Sequence, residues 1–257
     1  MRIATYNVNG IKARLPRLIE WLKETQPDVA CLQEIKSQTD LFPVKDIEAA
    51  GYHALVHGQK GFNGVAILTK EPADLIQTGL PGDDEDEQAR YLECDYRGVR
   101  IAGLYLPNGN PQPGPKFDYK LSWMRRLHER AQHLYDREQP TCITGDFNVA
   151  PEDRDVFSMR AMGGDALVQP ESRAAYRAIL GQGWLEALRA VHPRDDKLYT
   201  FWDYQAGAWP RDAGLRIDHH LLSPQLADRL IDAQVDREYR GREKASDHTP
   251  VWIEVAD

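Results

Sequence analysis

Six segments of this 257-residue chain that read as strand ends hold side chains able to do chemistry: Asn7, Glu34, Tyr105, Asp146 with Asn148, Asp218, and Asp247 with His248. The fullest is Thr144-Gly145-Asp146-Phe147-Asn148, which follows the apolar run Cys142-Ile143. A strand that stops in Gly-Asp-x-Asn delivers a carboxylate and a carboxamide to a sheet edge, where loops surround them. Asp and Asn also end strands by forming turns with their own backbone, so the motif acquires chemical meaning only from partners.

Taken together, the set suits metal-assisted phosphodiester hydrolysis. Oxygen ligands without paired Cys or His favour Mg²⁺, or Mn²⁺, over zinc. A water nucleophile needs a positioned base, and the transition state needs donors or positive charge around its oxygens. Neither an elbow serine nor a Cys-His pair offers a covalent route, and there is no G-x-x-x-x-G-K loop. In Arg216-Ile217-Asp218-His219-His220-Leu221-Leu222, alternation places Arg216, Asp218 and His220 on one face, where a buried carboxylate needs a partner. His219, on the other face with Ile217 and Leu221, reads as a core histidine.

The elements that must hold these groups are strands with helical crossovers. Arg2 to Asn7 alternates as a strand; Leu15, Leu18, Ile19 and Leu22 recur at helical spacing after Pro16; Asp28 to Leu32 is a second strand, completing a β-α-β unit. Tyr52 to Val56 and Gly64 to Leu68 read as strands, with a short helix over Val44 to Ala50 before them. Tyr91 to Asp95 and Val99 to Leu106 flank Tyr96-Arg97-Gly98 as a hairpin. Phe117 to Glu138 carries a helical stripe of Phe117, Leu121, Met124, Leu127, Ala131 and Leu134. Pro151 to Met159 and Ser172 to Leu180 read as helices, and Leu215 to Leu222 and Val251 to Val255 as strands. Hairpins mixed with crossovers imply an α/β protein with mixed sheets.

Composition sets limits. Hydrophobic and charged fractions of 42% and 28% are those of an ordinary globular protein, and no linker interrupts the chain, so residues 1–257 are read as a single catalytic domain. The net charge of -8 argues against bulk coating of nucleic acid but leaves room for a local basic surface. Cys31, Cys94 and Cys142 read as buried reduced thiols. With no signal peptide and no membrane-length apolar run, the expectation is a cytoplasmic protein without a membrane partner.

Longer matches identify a family. Pro27-Asp28-Val29-Ala30-Cys31-Leu32-Gln33-Glu34-Ile35-Lys36, Asn63-Gly64-Val65-Ala66-Ile67, Gly145-Asp146-Phe147-Asn148-Val149-Ala150-Pro151, Arg216-Ile217-Asp218 and Ser246-Asp247-His248 together resemble the exonuclease III family of apurinic/apyrimidinic endonucleases. The resemblance runs in register from Thr5 to about Val255. It implies a four-layer α/β sandwich, two mixed β-sheets packed face to face with helices on the outside, and a Mg²⁺-dependent nuclease. Such an enzyme cuts double-stranded DNA on the 5′ side of an abasic site, trims 3′ ends, and is expected to be a monomer. Alternatives are a superfamily phosphodiesterase acting on RNA or a phosphoinositide, and a catalytically silent DNA-binding relative.

Position by position, the resemblance makes Glu34 the main metal ligand, with Asn7 and Asp247 nearby. Asp146 orients or deprotonates the attacking water, helped by Asn148, and His248, oriented by Asp247, donates to a non-bridging phosphate oxygen. Tyr105 contacts the phosphate, and Asp218 supports the leaving group or a second metal. Lys36 brings positive charge to the substrate. Phe201 and Trp202, in the aromatic run Tyr199 to Tyr204, pack against an extruded sugar or wedge the groove. Arg173, Arg177 and Arg211 are candidate DNA-backbone contacts. Two positions depart from the family pattern: Glu186 replaces a common Asp, and Asp212 replaces a common Asn and adds negative charge near the lesion-binding loop.

Overall fold

The computed structural model describes every residue from Met1 to Asp257. One sheet holds β1 (Arg2–Asn7), β2 (Val29–Gln33), β3 (His53–His57), β4 (Val65–Thr69), β11 (Leu230–Val235) and β12 (Val251–Val255), in the order β11-β12-β1-β2-β4-β3. The other holds β5 (Asp74–Thr78), β6 (Tyr91–Tyr96), β7 (Val99–Tyr105), β8 (Thr141–Asp146), β9 (Leu185–Glu186) and β10 (Asp218–Leu222), in the order β5-β6-β7-β8-β10-β9. Both sheets are mixed, with the parallel pairs β1–β2 and β7–β8 near their centres and antiparallel neighbours elsewhere.

Alternation along the strands decides the layering. Ile3, Val29, Cys31, Val65 and Ile67 point into a core shared with Ile101, Cys142 and Leu222 of the second sheet. The intervening Ala4, Tyr6, Ala30, Leu32, Ala66 and Leu68 point outward, against α1 (Ile11–Thr25) and α2 (Val44–Ala49). On the far side, Ala102, Leu104, Ile143 and Leu221 meet α3 (Pro115–Tyr135) and α5 (Pro170–Leu180). The helix–sheet–sheet–helix stack is the four-layer sandwich expected. All three cysteines are free and sit in the shared core, where burial pushes their thiols up. No helix is long and apolar enough to cross a membrane.

Several local expectations are corrected. Strands β5 and β11 lie outside the sequence expectations: both are edge strands carrying Asp and Gln, β5 largely exposed and β11 mostly half-buried, and neither has a clean apolar face. Residues 151–159 do not form one helix. A 3-10 turn at Asp153–Asp155 is closed by a reciprocal cap between Glu152 and Asp155, and the one-turn α4 (Met159–Met162) follows. Between β9 and β10, α6 (Ala187–Val191) packs against β10 and β11. The last short helix, α7 (Pro224–Ala227), follows β10.

The strand containing Asp218 also starts later than alternation suggested. Leu215 bridges Val156 and Phe201 instead of continuing the ladder, and the strand begins at Asp218. Arg216 therefore does not share a face with Asp218. Its guanidinium turns to the helix side, pairing with Asp155 at 2.7 Å and Glu186 at 3.0 Å and donating to Nδ1 of His219 at 3.2 Å. His219 is the satisfied core histidine expected: its Nε2 donates to the Val149 carbonyl at 2.9 Å, and burial beside Arg216 pulls its pKa down to about 3.

Candidate active site

The C-terminal ends of β1, β2, β7 and β8 and the N-terminal end of β10 meet in one cleft. Asp146 is the register partner of both Tyr105 on β7 and Asp218 on β10, so the pleat sends three polar side chains to one face at one level. The first sheet contributes Asn7 and Glu34. From Asn7, Nδ2 donates to Glu34 Oε1 and to Asp146 Oδ2, each at 3.0 Å, joining the two sheets through a single carboxamide.

The opening motif is both a turn and a site. The Asn148 N–H donates to Asp146 Oδ1 at 2.9 Å, the backbone turn that Asp favours, and this leaves Oδ2 toward the cleft. Gly145 is required by close approach: a Cβ there would lie 1.9 Å from the Leu104 carbonyl oxygen on the parallel neighbour β7. Asn9, Glu34, Lys36, Asn63 and Asn148 all adopt left-handed backbone at the strand ends. Such residues cost free energy and persist where surrounding contacts over-determine them.

Behind Asp146 lies His248. Its Nδ1 donates to Asp218 Oδ2 at 2.8 Å, and its Nε2 lies 3.6 Å from Asp146 Oδ2. Thr200 Oγ1 donates to the same Asp218 oxygen at 2.6 Å. Burial alone would lower the histidine, but Asp218 and Asp146 raise its pKa to about 10, so the ring is an imidazolium at neutral pH. Burial, and repulsion from Asp218, push Asp146 up to about 7 against the pull of His248 and its hydrogen bonds. The orienting carboxylate is thus Asp218 and not the adjacent Asp247, whose Oδ1 instead accepts from Asn9 Nδ2 at 3.0 Å.

The donor set around Glu34 fits a hard divalent cation. Lys36 Nζ stands 3.1 Å from Oε2, a positive group where a cation is expected. Burial opposes ionisation of Glu34, but Asn7, Lys36, Tyr105 and His248 hold its pKa below the ordinary value. Lys36 also donates to Asn9, which carries the chain of contacts on to Asp247. The Asn7 Oδ1 accepts the Asn9 N–H at 3.0 Å while its nitrogen faces the carboxylates, so in this arrangement Asn7 positions them.

Asp146, Asp218 and His248 bring ligand atoms within 4.8 Å of one another. Asp218 Oδ1, buried without a hydrogen-bond partner, is an acceptor in reserve.

Beside the cleft opens a cavity of about 420 Å³ whose walls include Asn108, Phe157, Met162, Phe201, Arg211 and Leu215. Phe201, with its ring 5.0 Å from that of His248, links cavity and cleft. Trp202 does not reach this space. It is 0% exposed, packs edge-on against Trp209 at 5.0 Å and donates from Nε1 to Asp212. The charge of Asp212 is in turn taken up by Arg237 at 2.8 Å.

Arg211 is exposed at the cavity. Arg173 is committed elsewhere, to Asp153 at 2.7 Å and the Ala150 carbonyl, and pins the segment after the motif. Arg177 is exposed, and no hydrogen bond joins it to the cleft. Residues not singled out in the sequence also enter. Asn108 donates to Asn148 Oδ1 at 3.2 Å, Thr200 orients Asp218, and Arg90 lies 4.7 Å over the Tyr105 ring. Asn108 follows a strand-ending Pro, a polar residue at a strand end like the others of the site.

Residues 4–248 match the Endonuclease/Exonuclease/phosphatase family. An exodeoxyribonuclease III of Haemophilus influenzae is 34% identical over 99% of each chain. Among solved structures, an AP endonuclease of Archaeoglobus fulgidus superposes with a TM-score of 0.95 at 38% identity, covering 100% of both chains. The 3′ phosphatase NExo of Neisseria, bound to a product DNA hairpin, gives 0.96 at 36% identity, again over 100% of both.

Proposed function

Since this chain belongs to the endonuclease/exonuclease/phosphatase family, we propose that it is a Mg²⁺-dependent DNA repair nuclease. It cleaves the phosphodiester 5′ to an abasic site in double-stranded DNA and removes nucleotides or blocking groups from 3′ ends. The names of the exodeoxyribonuclease III, AP endonuclease and 3′ phosphatase relatives support this substrate class. The reading is of one catalytic unit, acting as a monomer in the cytoplasm, with Mn²⁺ as an alternative metal.

The observation that carries it is the division of the cleft into an ionisable base and a charged donor. Asp146 Oδ2, held by Asn7 and by the turn to Asn148, takes a proton from water as the water oxygen bonds to phosphorus. His248, kept protonated by Asp218, presents Nε2–H to a non-bridging oxygen, where negative charge builds. The bond from phosphorus to the 3′-oxygen breaks and that oxygen takes a proton from solvent water, giving a 3′-hydroxyl and a 5′-phosphate. Tyr105 and Lys36 add donors on the Glu34 side. Glu34, with Asp247 nearby, would hold the cation, which when bound neutralises charge on the phosphate and its leaving oxygen. Phe201 offers an apolar wall for a sugar turned out of the helix.

A labelled duplex with one abasic site, incubated with Mg²⁺ or with chelator, tests the proposal. Incision only with metal is expected; metal-independent cutting, or none, overturns it.

A further inference from the structure

Lys120, in the second turn of α3, is fully buried and yet plays no part in the chemistry above. Its neighbours on the helix, Phe117, Trp123, Met124 and Leu127, are core residues. An ammonium among them is costly unless its donors are used. Nζ donates to the Asn108 carbonyl at 3.0 Å and to the Asn148 carbonyl at 2.6 Å. Those carbonyls belong to different loops. One follows β7 and carries Asn108 at the cavity; the other continues from Asp146 at the end of β8 and contains Asn148.

Three further details favour a built contact. The Asn108 side chain closes the same gap, donating to Asn148 Oδ1 at 3.2 Å. Gly109, at φ 92°, makes room for the lysine stem, since a Cβ there would lie 2.7 Å from Lys120 Cδ. Burial draws the ammonium down to about 7, while Asp146 and Asp165 favour its charged form.

We propose that Lys120 is a positioning residue that fastens the cavity-lining loop 106–110 to the turn 146–148. The seat of the substrate and the placement of the attacking water are thereby fixed relative to each other. This rests on the roles assigned above to Asp146 and the cavity. Without the ammonium the two loops can shift independently, and a misplacement of about 1 Å costs on the order of 100-fold in rate.

The test is Lys120→Met in the full chain, which keeps the apolar stem. On abasic duplex with Mg²⁺, kcat is expected to fall by roughly ten- to a hundred-fold with KM changed less than about twofold. Amide hydrogen exchange should rise in both loops together while the strands of the shared core stay protected. If that variant does not fold, Gly109→Ala, which displaces the stem and keeps the ammonium, should give the same split. Wild-type kcat, or parallel losses in kcat, KM and global protection, would overturn the proposal. Should the wild-type protein fail to cut abasic DNA at all, the function proposed above falls, while the exchange measurement still decides whether Lys120 joins the loops.

Discussion

Asp146 and Asp218 face each other directly across β8 and β10, and one imidazole serves both carboxylates: His248 stands 2.8 Å from Asp218 and 3.6 Å from Asp146. Two buried acids at one level of a sheet repel, and a charged ring between them relieves that repulsion. In the proposed mechanism the same relief lets a base and an acid coexist near neutral pH.

The pH dependence follows from this pair. Asp146 must lose its proton to act as base, so kcat should rise as pH passes about 7, or lower once a cation is bound nearby. His248 must keep its proton, so kcat should fall as pH passes about 10. For stability the signs are separate. The folded value of His248 exceeds its unfolded value, so its contribution is complete below about 6.5 and lost through about 10. Asp146, raised in the fold, favours the folded state most below about 4, and that contribution declines as pH rises through about 7. Asp218→Asn should move the alkaline limb of kcat downward. An ¹⁵N titration of the His248 ring checks it, and an unmoved histidine would count against the assignment.

Asp146→Asn keeps the shape of the turn and removes the base. Turnover on abasic duplex should fall by about 10² to 10⁴-fold, with binding retained. Single-turnover kinetics beside a mobility-shift titration separate the two quantities. Wild-type turnover would show that another group activates the water.

Metal removal should abolish incision, and added Mg²⁺ should restore it. Glu34→Gln should raise the Mg²⁺ concentration needed for half-maximal activity by about tenfold or more. A metal titration of both proteins decides, since an unchanged requirement places the cation elsewhere.

Phe201 and Trp202 are neighbours in the chain with opposite fates, and alanine should distinguish them. Trp202→Ala empties a core position and should cost about 3–5 kcal/mol in denaturant unfolding. Phe201→Ala should leave stability nearly intact and weaken use of abasic duplex, seen in kcat/KM.

The buried cluster behind the cleft should matter for folding. Asp155, 0% exposed, pairs with Arg216 at 2.7 Å and Arg189 at 2.8 Å. Asp155→Ala leaves two guanidinium groups short of a partner and should cost about 3–5 kcal/mol. Urea unfolding measures it, and a change within error would mean Glu186 alone suffices for Arg216.

Much of the site was legible because Asn7, Glu34, Tyr105 and Asp146 close apolar strands, and parallel strands with crossover helices bring those ends to one side. Family resemblance supplied the layering that composition left open. What stayed hidden depends on side-chain direction. Asp247 adjoins His248 in sequence, but its Oδ1 is taken by Asn9, and the partner of the ring is Asp218, thirty residues away. Asn7 shows which end of its amide meets the carboxylates only once the Asn9 N–H is in place. Trp202 and Phe201 differ by one step of alternation that sequence cannot phase. Lys120 lies in a helix whose apolar stripe invites no attention to a charged residue, and its two acceptors are main-chain atoms without a residue signature.

The Asn7 carboxamide, spanning from β1 to acids on two different sheets, has a consequence for how activity is lost. Neither half of the sandwich carries a working subset of the machinery. Catalytic competence therefore requires the two layers to be packed together, and it is lost when they separate. A lesion anywhere in the shared core, far from DNA, would silence the enzyme through the fraction of molecules closed, while each closed molecule turned over at full speed.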